Sequence, residues 1–179
     1  MDRQGWGKVM RTFSSRKHRL ATGILASACL LQSIEIPLAA TTTSTFTVSV
    51  TLAATCTINS ASTLNFGNQG VLSANVDQTS TIQVTCTNTT PYNIGLDAGT
   101  GSGATVTTRK LTSGGATVNY TLYSDTGRTT LWGNTVGTDT VAGTGNGTGQ
   151  NYTVYGRIPT QTTPAPGTYT DTITVTVTY

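Results

Sequence analysis

The sequence predicts an all-β protein arranged as a two-sheet sandwich, and three observations carry that expectation. Apolar residues alternate with polar ones at period two, threonine dominates the polar positions, and clusters of glycine, serine and proline separate the alternating runs. Period two is the repeat of a strand with one buried face. Threonine is β-branched and covers the wet face of a strand without adding charge. About 40 of the residues from 41 to 179 are Thr. The alternation is explicit at Phe46, Val48, Val50 and Leu52; at Ile82, Val84 and Cys86; at Tyr92, Ile94 and Leu96; at Tyr120 and Leu122; at Val154, Gly156 and Ile158; and at Tyr169, Ile173, Val175, Val177 and Tyr179. Turn clusters fall at 99–103, 113–115, 143–149 and 164–167. Short strands with such punctuation favour a sandwich over a helical or α/β architecture, and no helical stretch is expected after residue 40.

The chain divides into a leader and a body. Arg3, Lys8, Arg11, Arg16, Lys17 and Arg19 precede an apolar stretch from Leu20 to Leu31, and Pro37-Leu38-Ala39-Ala40 supplies a small-residue cut, so residues 1–40 read as a signal peptide. Cys29 after Ser27-Ala28 raises a lipid-attachment reading, which Ala26 and the apolar sequence beyond it disfavour. No integral membrane segment is expected in the mature chain, because nothing after residue 40 approaches 18 consecutive apolar residues. The formal charge of +3 belongs to the leader. Beyond it four basic residues face five aspartates, leaving about −1, which excludes nucleic acid as a partner.

Export leaves two cysteines, Cys56 and Cys86, an even count in an oxidising compartment that reads as one disulfide. There is no CxxC spacing to support a metal or redox pair, so neither a metal nor another cofactor is expected. The only histidine, His18, lies in the leader. The mature chain therefore lacks the residue on which Ser-His-Asp and Cys-His hydrolysis, histidine metal sites and imidazole acid–base chemistry depend. Five Asp, no Glu and one Lys, Lys110, remain in Thr-rich turns, where Asx turns are the ordinary reading. An enzyme is not expected, and no catalytic residue is assigned.

Two terminal segments carry the functional expectation. The last strand, Thr172 to Tyr179, ends the given sequence with one strongly apolar face. Thr41 to Leu52 is strand-like, lies wholly before Cys56, and has no charge, Gly or Pro. It reads either as the first strand of its own domain or as a strand for another molecule, since an open apolar edge beside an unpaired strand is an aggregation hazard unless the two serve each other. Head-to-tail pairing of that kind builds a fibre, because a heterologous contact need not close.

Four stretches then resemble a known family. Asn119-Tyr120-Thr121-Leu122-Tyr123-Ser124-Asp125, followed by Arg128 and Leu131-Trp132, is similar to the mid-domain signature of spore coat protein U domains, which include subunits of archaic (Csu-type) chaperone-usher pili. Leu64-Asn65-Phe66-Gly67, Val84-Thr85-Cys86 and the ending from Gly167 to Tyr179 also match, so the resemblance spans residues 45 to 179. It implies an incomplete immunoglobulin-like β-sandwich that lacks its final strand and carries an N-terminal donor-strand extension. Residues 41–55 would be the extension and its connection, and 56–179 the sandwich. By the resemblance, Phe46, Val48, Val50 and Leu52 are donor side chains, and Ile173, Val175 and Val177 line part of the acceptor groove. The implied partners are a periplasmic pilus chaperone, an outer-membrane usher and neighbouring subunits, in a surface pilus serving attachment and biofilm formation. The competing expectation is a self-contained secreted coat or carbohydrate-binding module. Trp132 and the seven Tyr are read as core and turn anchors, and Asp125 with Arg128 as a turn or ion-pair contact.

Overall fold

A computed structural model describes residues 38–179 of the chain. The expected signal peptide, with His18 and Cys29, lies outside the described residues apart from its last three. Contacts divide the chain at Thr47/Val48, and the account of the fold concerns the unit from Val48 to Tyr179.

Eight strands and no helix are present among the described residues: β1 (Cys56–Ala61), β2 (Val76–Cys86), β3 (Pro91–Leu96), β4 (Arg109–Ser113), β5 (Ala116–Tyr123), β6 (Val141–Thr144), β7 (Gly149–Ile158) and β8 (Val175–Thr178). They form a five-stranded sheet in the order β1-β2-β7-β5-β4 and a three-stranded sheet in the order β6-β3-β8. Every pairing is antiparallel. The period-two runs supply the core between the sheets: Ile82, Val84 and Cys86 of β2, Val118, Tyr120 and Leu122 of β5, Val154 and Ile158 of β7, and Tyr92, Ile94 and Leu96 of β3 are all buried. Register explains why they meet, since a one-residue slip would turn each set to water.

Trp132 is fully buried and donates its indole N–H to the Ile94 carbonyl at 2.8 Å, so the anchor reading holds. Asp125 and Arg128 make the expected turn contact, the Arg128 N–H donating to the Asp125 carbonyl at 3.0 Å, but their side chains form no ion pair. Asp125 accepts from the backbone N–H groups of Thr129 (2.9 Å) and Thr130 (2.6 Å), closing its own turn. Arg128, in the left-handed region at φ 55°, reaches the Gly156 carbonyl (3.1 Å) and Asp77 (3.3 Å) and lies over the Tyr155 ring. The last strand is shorter than the alternation from Thr172 suggests. Only residues 175–178 ladder with β3, while Thr170 exchanges hydrogen bonds with Thr112 of β4 in the other sheet. The chain thus crosses from one sheet to the other between Thr170 and Thr174, which shortens the regular strand.

Cys56 and Cys86 are joined, with Cα atoms 4.1 Å apart, and stand opposite each other where β1 meets β2. β1 is an edge strand, so the bond ties down an element with a single laddered neighbour. Closing a loop of 30 residues restricts the unfolded chain by about 3.7 kcal/mol in the chain-entropy model. The double substitution Cys56→Ser/Cys86→Ser is expected to cost about 2–5 kcal/mol, read as a lower chemical-denaturation midpoint. An oxidised wild type no more stable than that variant would refute it.

Candidate functional site

The site is the open flank of the sandwich, where the two sheets are not joined by a strand. β8 ends the three-stranded sheet and has β3 as its one laddered neighbour. β1 ends the five-stranded sheet, and the irregular segment that follows it, residues 62–72, forms the facing wall. Two cavities occupy the gap. The smaller, of about 300 Å³, lies among residues 61–66 and 171–175 over a floor of Ile82, Tyr120 and Val154. The larger, of about 920 Å³, lies among residues 63–72 and 163–171 over Leu111, Val118 and Ile158. Thr63, Leu64, Phe66, Leu111 and Asp171 border both, so the cavities are one groove, and its two walls run in opposite chain directions.

Glycine shapes the floor at Gly156. A Cβ there would come within 2.7 Å of Leu64 Cδ1 and 3.1 Å of Phe66 Cζ, so only the bare backbone lets these two side chains lie on β7. Phe66 then meets Tyr120 edge to face, with centroids 6.2 Å apart.

Of the expected groove residues, Ile173 and Val175 border the smaller cavity, and Val177 shares their half-buried face against the core. Phe46, Val48, Val50 and Leu52 are 87%, 83%, 82% and 85% exposed, in a segment from 38 to 55 that carries no strand. Leu64, Phe66 and Leu111 as groove lining were missed by the sequence reading. Leu64-Asn65-Phe66 shows its period-two signal over only two apolar positions, too few to read as a strand.

A second missed residue is Arg109, fully buried at the start of β4. Its guanidinium donates to four backbone carbonyls, of Asp97 (2.8 Å), Val106 (2.9 Å), Leu96 (3.0 Å) and Trp132 (2.8 Å). No carboxylate lies within ion-pair distance of it among the described residues. It fastens the end of β3 to the opposite sheet by satisfying carbonyls that would otherwise be buried without donors.

Two aspartates then hold the groove wall. Asp97 Oδ1 accepts from the backbone N–H groups of Gly99 (3.0 Å) and Thr174 (2.9 Å). Burial raises its pKa, but the bonds from Thr174 and Gly99 and the nearby Arg109 outweigh burial and hold the carboxyl below its ordinary value of 3.8. Asp171 is the more heavily bonded. Its Oδ1 accepts from Thr100 N–H (2.8 Å), Thr100 hydroxyl (2.9 Å) and Thr172 N–H (2.8 Å), and its Oδ2 from the buried Tyr120 hydroxyl (2.7 Å). Burial, then the bond to Asp171, pushes the Tyr120 phenol well above its usual range, so it stays a donor. Among the described residues no cluster of three metal-ligating side chains occurs. What the arrangement offers is a long apolar slot bordered by a strand edge that, among the described residues, ladders on its other side only.

Residues 42–176 match the family model described as the Spore Coat Protein U domain. Over 176 residues the chain is 31% identical to Protein U of Myxococcus xanthus, a match covering 90% of this chain and 98% of that protein. Among solved structures it is similar to a chain in the crystal structure of the CsuC-CsuE chaperone-tip adhesion subunit pre-assembly complex from archaic chaperone-usher Csu pili of Acinetobacter baumannii. That likeness has a TM-score of 0.54 at 24% identity and is one of fold; it covers 72% of this chain and 41% of that chain.

The folded Asp97 carboxyl, lowered relative to the unfolded chain, contributes stability that is present above 3.8 and lost as pH falls through its folded value. Asp97→Asn is expected to cost about 1–2 kcal/mol at pH 7, where charge-assisted bonds are lost. The gap to wild type should narrow below pH 3.8 in urea unfolding, and a constant gap across pH would contradict the assignment.

Proposed function

This chain belongs to the Spore Coat Protein U domain family, and we propose that it is a structural subunit of a chaperone-usher pilus that polymerises by donor-strand exchange. In this reading residues 41–55 are the donor extension and its connection, and 56–179 the acceptor sandwich. One observation carries it. The same chain has an unpaired strand edge over an apolar groove and, before its first strand, four exposed apolar side chains at period two. Seating each of those side chains is worth about 1.5–3 kcal/mol before ordering is subtracted.

The local geometry at β1 favours donation to another molecule. Thr87 N–H donates to the Thr55 carbonyl at 2.9 Å and Thr55 N–H to the Thr87 hydroxyl at 3.0 Å, so pairing with the β2 side begins before Cys56. If the extension folded into its own groove, Ala53 and Ala54 alone would have to reverse the chain. Two-residue hairpin turns need positive φ at one or both central positions, which costs Ala roughly 1–2 kcal/mol each. A strand so folded would run antiparallel to β1 and therefore parallel to β8. A strand from another copy is free to take the antiparallel arrangement, which is the more stable pairing.

Before assembly the groove needs a temporary occupant, so the partners are a periplasmic chaperone, an outer-membrane usher and further subunits, with a homopolymer as the simplest product. The destination is the cell surface, and the fibre serves attachment and biofilm formation. The role is structural: residues 41–179 contain no histidine, and the five aspartates are spread among separate turns and strands. A self-contained coat module is the competing reading, supported by the family's description and by the near full-length match to Protein U.

Deleting residues 41–52 is expected to abolish SDS-resistant multimers of the periplasmic protein while leaving a chaperone-bound subunit. Val50→Lys should act the same way, because a lysine forced into an apolar slot is a buried unpaired charge. Normal multimer ladders from either variant would remove the donor assignment.

A further inference from the structure

Residues 62–72 follow β1 of the five-stranded sheet and residues 171–175 lead into β8 of the three-stranded one, so at the smaller cavity the width of the groove is set by whatever ties the two sheets together. The segment entering β8 begins against the five-stranded sheet, where Thr170 and Thr112 exchange N–H to carbonyl bonds of 2.8 and 3.1 Å. It ends against the three-stranded sheet, where Asp97 N–H donates to the Thr174 carbonyl (3.2 Å) and Asp97 Oδ1 accepts from Thr174 N–H. Asp171 sits at the crossing and borders both cavities. One carboxylate oxygen takes the hydroxyl of Tyr120, on β5 of the five-stranded sheet; the other takes the N–H and hydroxyl of Thr100, in the loop after β3. The carboxylate also packs so closely over Gly99 that a Cβ there would run into it.

We propose that Asp171, held by Tyr120 and Thr100, is a positioning residue that props the groove at the width a donor strand needs. The inference rests on the donor-strand reading. An empty apolar groove is driven to close, because Ile173 and Val175 gain burial by moving toward Leu64 and Phe66. The Tyr120–Asp171 bond opposes that closure from the floor by fixing the middle of one wall to the opposite sheet. A groove held open has no wall to move when a strand arrives, and preorganisation of this kind appears as affinity rather than as stability of the empty subunit.

The test uses the mature chain, residues 41–179, with Tyr120→Phe as the main variant, since it removes one oxygen from a buried ring and keeps the ring's packing. Asp171→Asn is the conservative companion, as it retains one acceptor oxygen. A labelled synthetic peptide spanning residues 41–52 is titrated into each, and unfolding midpoints are measured with and without it. Tyr120→Phe is expected to weaken peptide binding about tenfold, with Asp171→Asn between it and wild type, and to narrow the midpoint increase that the peptide gives. A merely structural bond would lower both midpoints alike and leave the affinity unchanged. Wild type binding the peptide while Tyr120→Phe binds it within twofold overturns this inference alone. A wild type that does not bind the peptide overturns the donor-strand reading and this inference with it.

Discussion

Among the described residues β8 has a hydrogen-bonded neighbour on one side only, and the sandwich is organised around that fact. β8 ladders with β3 and presents its other edge to the groove. Backbone N–H and C=O groups at such an edge are satisfied by water in the free molecule, but the apolar side chains beneath them gain nothing from water. A conventional sandwich resolves this with one more strand. Here the opposing sheets are joined on that flank by side chains and a crossing segment, through Asp97, Asp171 and the Thr112–Thr170 bridge.

Side chains standing in for a strand explain why charges are placed where they are. The body has few charged residues, yet Arg109 is fully buried, Asp171 borders the groove, and Asp97 holds Thr174 of the segment that enters β8. A buried guanidinium is costly unless its donors find partners, and Arg109 places four of its five N–H groups on carbonyls at 2.8–3.0 Å. The carbonyls belong to the end of β3, to the loop after it and to Trp132, so one side chain closes several strand ends together. A lysine could not do this, since its single ammonium lacks the planar fork that reaches divergent acceptors.

Legibility in the sequence followed the range of the interaction. Strands β2, β3, β5 and β7 were readable because their alternation has a local cause, one wet face and one dry one, and the Cys56–Cys86 pair was readable from count and compartment. Ile173 and Val175 border the smaller cavity, but alternation marks them only as one apolar face; their expected place at the groove came from the family resemblance. β1, β4 and β6 were not singled out: CTINSA, RKLTS and VAGT carry too few apolar residues for a period to show. In the sequence Arg109 counts only as one of four basic residues beyond the leader, because only the tertiary fold brings the Asp97, Val106 and Trp132 carbonyls around it. The role of Tyr120 was half legible: its place in the alternation marks it as core, but its bond to Asp171, 51 residues later, has no local signature.

The extension and the groove are complementary in chemistry but not interchangeable in position, and that asymmetry has a structural consequence. If the surface that donates and the surface that accepts were one patch, pairing two copies would satisfy both and stop at a dimer. The exposed apolar side chains precede β1 and the groove lies between residues 61–72 and 163–175, so in the donor-strand reading a copy that accepts a strand still has its own to give. In the donor-strand reading each added subunit regenerates the end it consumed. The near-neutral body offers little charge repulsion to oppose premature association, and the control must then come from covering the groove before a donor arrives. A temporary strand from another protein is the cover that such an edge can accept without any change in the sandwich beneath it.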